Sequence, residues 1–264
     1  MMLVARHNSI LDLARSHGRV EVDDLSERFS VSPQTIRKDL NDLCEQGLLS
    51  RVHGGAVLAY GVENVGYATR KDLAGREKEA IGRAAAELIP NGASLFVNIG
   101  TTTEAVARAL VQHSGLMVIT NNLNVAVTLR PFSQNQVVIA GGVVRASDGG
   151  VVGEAAVDFI NQFKVDYAVI GTSALDADGA LLDFDYREVK VAQAIIANAR
   201  HVILVADTSK FDRSAPVRVG HMEQIDTYVC DRMEDPRIRK LMQTWEVRLI
   251  EALDQEKDPA GPLT

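Results

Sequence analysis

Three groups of polar residues in this chain have types and spacings that suit recognition better than bond-making. The first lies in Val31–Leu43, where Gln34, Lys38 and Asn41 fall on one side of a helical wheel, flanked by Thr35 and Arg37, with Ser32 at the start. Arg or Lys can pair with guanine edges, Gln or Asn with adenine edges, and Thr with a phosphate or a thymine methyl. An ordinary amphipathic surface helix would carry the same pattern. The second group is a set of short clusters: Gly100-Thr101-Thr102-Thr103, Asn121-Asn122, Gly141-Gly142, Gly171-Thr172-Ser173 and Asp207-Thr208-Ser209-Lys210. A glycine turn leading through hydroxyls into a helix offers backbone N–H groups and a positive dipole end to an anion. Lys210 would supply counter-charge, and Asn121 and Asn122 would read hydroxyls. Alternatively, Thr102 or Thr103 only caps a helix beginning at Glu104. The third group is Asp183, Asp185, Glu188 and Lys190, whose carboxylates can accept sugar hydroxyls while Lys190 approaches an anion; a helix cap followed by a solvated face reads the same way. Nothing matches a P-loop, a GxGxxG fingerprint, a metal cluster, a catalytic triad or a paired-acid site. The expectation is therefore no catalytic residue, no metal and no cofactor.

The elements needed to hold these groups are legible from periodicity. Ser32 can cap the first turn and Pro33 suits the first helical position, while Ile36, Leu40 and Leu43 form an apolar stripe. Upstream, Arg6–Ser16 reads as a helix stopped by Gly18, residues 20–22 as a brief extended piece, and Asp23 as the N-cap of a second helix carrying Leu25 and Phe29. The four residues from Ser30 to Pro33 give helix-turn-helix spacing. Residues 48–57 read as two extended arms around Gly54-Gly55, a β-hairpin wing tipped by Arg51 and His53. The spacing predicts a winged helix-turn-helix over residues 1–58, then an aperiodic linker over 59–75. Beyond a helix at Arg76–Ile89, seven short apolar runs alternate with amphipathic helices. That pattern predicts a doubly wound, mostly parallel α/β domain over 76–254, with the polar clusters at strand carboxyl ends, where such sheets bind ligands. Residues 255–264 read as a frayed tail.

Composition narrows the class. The chain has 264 residues, 46% apolar and only 5% aromatic, as an ordinary α/β protein does. No apolar run reaches membrane-spanning length and the first residues lack a signal-peptide pattern, so a cytoplasmic protein is expected. Cys44 and Cys230 have no metal-type spacing and should stay reduced. The net charge is −7, and residues 1–57 hold seven Lys or Arg against eight Asp or Glu. DNA binding must then rest on where Arg37, Lys38, Arg51 and His53 stand, not on bulk charge.

Ser32-Pro33-Gln34-Thr35-Ile36-Arg37-Lys38-Asp39-Leu40, followed by Arg51-Val52-His53-Gly54-Gly55-Ala56, resembles the N-terminal signature of the DeoR family of bacterial sugar-metabolism regulators. Asn98–Glu104, Thr120–Ala126, Ala140–Gly142, Leu181–Tyr186 and Ser209–Phe211 extend the resemblance through almost the whole chain. It implies that Ser32, Gln34, Thr35, Arg37, Lys38, Arg51 and His53 contact operator double-stranded DNA. It also implies an effector domain of the ribose-phosphate-isomerase type. The expected protein is a homodimeric or homotetrameric repressor of a carbon-source catabolic operon, not an enzyme. Its effector would be a phosphorylated polyol or sugar, with glycerol 3-phosphate first and a pentose phosphate, such as an opine-derived arabinose phosphate, as the alternative. An active sugar-phosphate isomerase using Asp183 or Asp185 as base is the rival of a different class.

Overall fold

The computed structural model describes residues 2–17, 19–46, 48–52, 54–58, 67–72 and 74–255. The first domain runs α1 (Met2–His17), β1 (Arg19–Glu21), α2 (Val22–Phe29), α3 (Pro33–Glu45), β2 (Leu49–Val52) and β3 (Gly55–Leu58). Its core is small and closed: Ile10, Leu11, Ala14, Leu25, Ile36, Leu40, Leu43 and Leu49 are all buried together. The three strands form one antiparallel sheet in the order β1-β3-β2. The extended piece at residues 20–22 is thus largely a strand of the wing sheet, and it leaves little room at the hairpin turn. A Cβ on Gly55 would lie 2.0 Å from the Val20 carbonyl oxygen, so only glycine fits there. One local expectation is corrected. The second helix begins at Val22 with Glu21 at its N-cap and no side-chain cap bond, which moves Asp23 into the first turn, where its charge still favours the helix dipole.

Next come α4 (Tyr67–Asp72) and α5 (Gly75–Ala86), followed by β4 (Ser94–Val97), α6 (Thr101–Ala109), β5 (Met117–Thr120), α7 (Leu123–Leu129) and β6 (Gln136–Ile139). After a β7 (Val143–Val144) and β8 (Val151–Val152) ribbon come α8 (Glu154–Ile160), β9 (Val165–Ile170), β10 (Ala174–Leu175), β11 (Ala180–Asp183), α9 (Tyr186–Ala197) and β12 (Ala199–Val205). The chain finishes with β13 (Val217–His221), β14 (Thr227–Cys230), α10 (Pro236–Thr244), β15 (Arg248–Glu251) and α11 (Ala252–Gln255). Residues 256–264, expected to fray, lie outside the described residues.

The seven apolar runs of the sequence are the seven strands of one parallel sheet, ordered β15-β14-β12-β9-β4-β5-β6. Successive residues of a strand enter opposite faces, as the period of two requires. Phe96, Ile119, Ala168, Ile170, Leu204 and Tyr228 join one core, under α8, α9 and α10. Leu95, Val97, Val118, Val169, Ile203 and Val229 join the other, under α5 and α6. In the central strands, burial on both faces explains why the runs are continuously apolar. Sheet order reverses between the adjacent strands β4 and β9, and the carboxyl ends of these strands and of β5 and β12 carry the polar clusters. A small antiparallel sheet, β10-β11-β13, brings Asp183 toward that end. The expected linker is partly structured: α4 occupies residues 67–72, and residues 59–66 lie outside the described residues.

Candidate functional site

On α3 the sequence sorts itself as expected. Ile36, Leu40 and Leu43 are buried, whereas Gln34, Arg37, Lys38 and Asn41 are exposed. Ser32 is the N-cap: its Oγ accepts from the Thr35 backbone N–H at 3.2 Å, and the two hydroxyls are 2.9 Å apart. That gives Ser32 and Thr35 a structural task beside any contact with DNA. Arg51 is exposed on β2, its guanidinium 3.4 Å from the Gly55 carbonyl, while His53 lies outside the described residues. Sequence reasoning passed over the residue that aims the helix. Asp39 is 1% exposed and accepts from Arg6 at 2.6 and 3.0 Å, with His7 at 3.2 Å, tying α3 to α1. Burial pushes the Asp39 carboxyl upward, but the hydrogen bond and charge of Arg6, helped by His7, bring it below the ordinary range.

In the second domain the expected convergence divides into three places. Lys210 lines a cavity of about 270 Å³ together with Arg70, Lys78 and Arg213. Lys78 on α5 is 5% exposed and donates to the Arg70 carbonyl oxygen. Burial, with the charge of Arg213 beside it, pulls the Lys210 ammonium down to about 7 against the opposing pull of Asp207. Burial pushes the Asp207 carboxyl up, yet Lys210 and the Ser209 hydroxyl hold it below its usual range. Of these cations only Lys210 was singled out by the sequence.

Asp183 and Asp185 line a second cavity of about 450 Å³, which Arg70 also borders. Its organiser is Arg145, which donates to Asp148 at 2.9 and 2.6 Å, to Asp185 at 3.0 Å and to Glu188 at 2.5 Å. The helix-cap half of the carboxylate reading is seen directly at Asp185. Asp185 caps α9 through the Arg187 backbone N–H at 2.9 Å, and Asp183 accepts from the Ser173 hydroxyl at 2.9 Å while lining the cavity. Burial and the nearby Asp183 charge push the Glu188 carboxyl to about 8 in spite of Arg145. Asp185 is held at about 2, chiefly by Arg187.

The third place is the buried start of α6. The helix begins at Thr101, three residues earlier than expected, with Gly100 as its N-cap, so neither Thr102 nor Thr103 caps it. The Thr103 hydroxyl donates to the Asn98 and Gly100 carbonyl oxygens at 2.8 Å each, which commits its proton to the backbone. Glu104, 4% exposed, accepts from the Tyr67 hydroxyl at 2.8 Å, Asn124 at 2.9 Å and Asn122 at 3.3 Å. Burial, then the hydrogen bond to Glu104, raises the Tyr67 phenol to about 12. Asn122 also caps α7, and Asn121 donates to the Val151 carbonyl oxygen at 3.2 Å. The side-chain carbonyl oxygens of Asn98 and Asn121, at the ends of adjacent strands β4 and β5, are buried with no hydrogen-bond donor among the described residues. Such acceptors suit a ligand hydroxyl.

Three expected residues fall apart from these groups. Gly141 and Gly142 form an exposed turn into β7, and Lys190 faces solvent on α9 between the buried Val189 and Val191. Gly100, Thr101 and Thr102 are not among the residues lining the cation cavity. What sequence reasoning missed was mostly arginine: Arg70, Arg145 and Arg213 lie in aperiodic segments, and only folding brings them to the strand ends.

The architecture is that of a winged helix-turn-helix joined to an α/β ligand-sensing domain. The chain belongs to the DeoR family: residues 6–60 match the DeoR-like helix-turn-helix domain and residues 74–232 the DeoR C terminal sensor domain. The glycerol-3-phosphate regulon repressor of Escherichia coli strain K12 is 47% identical over 249 residues, covering 94% of this chain and 99% of that one. A protein of the same name from Haemophilus influenzae is 49% identical over 221 residues, covering 84% of this chain and 86% of its own. A solved ribose 5 phosphate isomerase A from Neisseria gonorrhoeae aligns over 56% of each chain at 11% identity and a TM-score of 0.39, too slight a likeness to decide anything. Among the described residues no helix is long and apolar enough to cross a membrane.

Proposed function

We propose that this chain is a cytoplasmic repressor whose winged helix, within residues 1–58, holds an operator. A phosphorylated polyol bound in the domain spanning residues 76–254 lowers that affinity, and α4 between them helps wall the ligand site. The observation that carries the reading is the cation cavity: Lys210, Arg70, Lys78 and Arg213 converge at the end of a parallel sheet on a space of about 270 Å³, suited to a phosphate ester. Arg70 borders both this cavity and the one lined by Asp183, so hydroxyls of the same ligand would extend past Arg70 toward that carboxylate. The names of the relatives favour glycerol 3-phosphate as that ligand, with a pentose phosphate as the alternative. Operator half-sites call for two reading helices, so the working unit is a dimer or a dimer of dimers.

The test is calorimetric titration of the full chain with glycerol 3-phosphate and with glycerol. The phosphate ester should bind and the alcohol should not, and Lys210→Met should weaken the ester by roughly ten- to hundredfold, the worth of one hydrogen bond to a charged group. If Thr102→Ala weakens binding while Lys210→Met does not, the phosphate lies on the first turn of α6 and our placement is wrong. A second reading has one observation in its favour. A carboxyl held at about 8 beside Asp183 is equipped to move protons, as an isomerase base must. Glu188 is, however, clamped by Arg145 at 2.5 Å. Turnover of ribose 5-phosphate at about one per second or faster would establish the enzyme instead.

A further inference from the structure

The cation cavity is not walled by the sensor domain alone. Asp12, on α1 of the winged helix, lines it beside Lys210 and Arg213. Asp12 also lines a neighbouring cavity of about 600 Å³ that includes Phe211, Met233 and Ile238. The reading domain therefore meets the sensor domain at the ligand site itself, and does so with a carboxylate.

With Lys210 protonated, the charges in the wall balance: four cations, Arg70, Lys78, Lys210 and Arg213, face four acids, Asp12, Glu77, Asp207 and Asp231. Three of those acids are built into the sensor domain. Asp207 is 4% exposed and bonded to Ser209, Asp231 accepts from the Thr208 N–H at 2.8 Å, and Glu77 stands on α5. Asp12 is exposed and carried on a different domain, so it can withdraw without breaking the sensor domain.

We infer that Asp12 is an internal anion which a phosphate ester displaces, so that ligand binding and the seating of the winged helix on the sensor domain exclude each other. This rests on reading the cavity as the phosphate site. A dianion entering with Asp12 in place would give the wall two negative charges in excess, and withdrawal of Asp12 halves that excess. In a partly desolvated cavity such like-charge crowding is unfavourable. Coupling of this kind is reciprocal: a ligand that unseats the reading domain binds more weakly whenever that domain is seated. Seated heads hold a fixed spacing across the two half-sites, and unseated heads lose it.

The test uses full-length protein, wild type, Asp12→Asn and Asp12→Glu, titrated with glycerol 3-phosphate and separately with inorganic phosphate. Affinity for a DNA fragment selected from a random pool is then measured with and without glycerol 3-phosphate. Asp12→Asn should bind both anions about two- to fivefold more tightly, the worth of one exposed charge pair. Its DNA affinity should respond to the ligand less by the same factor, while Asp12→Glu stays near wild type. A role confined to folding of the winged helix would leave anion affinity unmoved. If Asp12→Asn binds both anions as the wild type does and Lys210→Met loses them, the displacement inference fails and the phosphate site stands. If wild type binds neither anion, or Lys210→Met binds them normally, both fall.

Discussion

Lys210 offers the sharpest test of the ligand site, because its ammonium is held at about 7 by burial and by Arg213 while the ordinary lysine value is 10.5. In the ligand-free protein it is half charged near neutrality, and a phosphate dianion placed against it would restore the full charge. Binding must then take up a proton, and affinity must fall as pH rises. With a free value of about 7 and a much higher bound one, the apparent dissociation constant grows as one plus ten to the power (pH − 7). From pH 7 to pH 8.5 that is a weakening of roughly sixteenfold. The ligand's own second ionisation lies near 6, so it contributes almost nothing in this window. Calorimetry with glycerol 3-phosphate in two buffers of different ionisation enthalpy measures both the affinity and the proton uptake, which should be about half a proton at pH 7 and close to one at pH 8. Lys210→Arg, charged throughout, should flatten the profile. Wild-type affinity that is level between pH 7 and 8.5 would refute the assignment. The ligand-free protein gives a check of opposite kind. Since the folded state binds fewer protons here than the unfolded chain between about 7 and 10.5, its stability should rise with pH across that interval.

Replacing Arg37 with Ala should cost about 1 to 3 kcal/mol of operator affinity if it reads a base edge, and replacing Lys38 should lower the salt slope by about one; competition binding at several salt concentrations measures both. Arg145→Ala leaves the buried Glu188 without its cation, Asp148 with Arg70 alone and Asp185 with Arg187 alone, and should destabilise the protein by about 3 kcal/mol at pH 8. Because the folded variant would then bind more protons than its unfolded chain, the deficit should shrink toward pH 5; an equal deficit at both pH values would count against the network. Gly82→Ala would place a Cβ 2.7 Å from the Ala105 carbonyl carbon, where α5 and α6 touch, and should cost about 1 to 3 kcal/mol in thermal unfolding, whereas an unchanged midpoint would mean those helices can part freely.

The sequence made the local rules visible and left the long-range ones hidden. Ser32-Pro33 announced the start of α3 because an N-cap hydroxyl and the backbone N–H that donates to it lie three residues apart. The seven apolar runs announced the sheet because burial on both faces writes a continuous signal. By contrast, α4 has six residues and no apolar stripe, and its Tyr67 is anchored by Glu104 and Asn124, 37 and 57 residues away. Arg145 reaches Glu188 across 43 residues. Thr103 looked like a ligand hydroxyl or a helix cap, and its use as a donor to backbone carbonyls can be seen only once the loop from Asn98 closes. Lys190 failed for a simpler reason: two positions along a helix from Glu188 is about 200° around it, which turns the ammonium away from the cavity.

The account stands or falls on whether a phosphorylated ligand governs DNA binding. The direct measurement is release of a selected DNA fragment from the full-length protein, followed by anisotropy at fixed salt, on titration with glycerol 3-phosphate and in parallel with glycerol. The phosphate ester should release the DNA at concentrations that track its calorimetric affinity, glycerol should not, and Lys210→Met should need roughly ten- to hundredfold more ester. Equal potency of the ester and the alcohol, or bound DNA at saturating ester, would contradict the account.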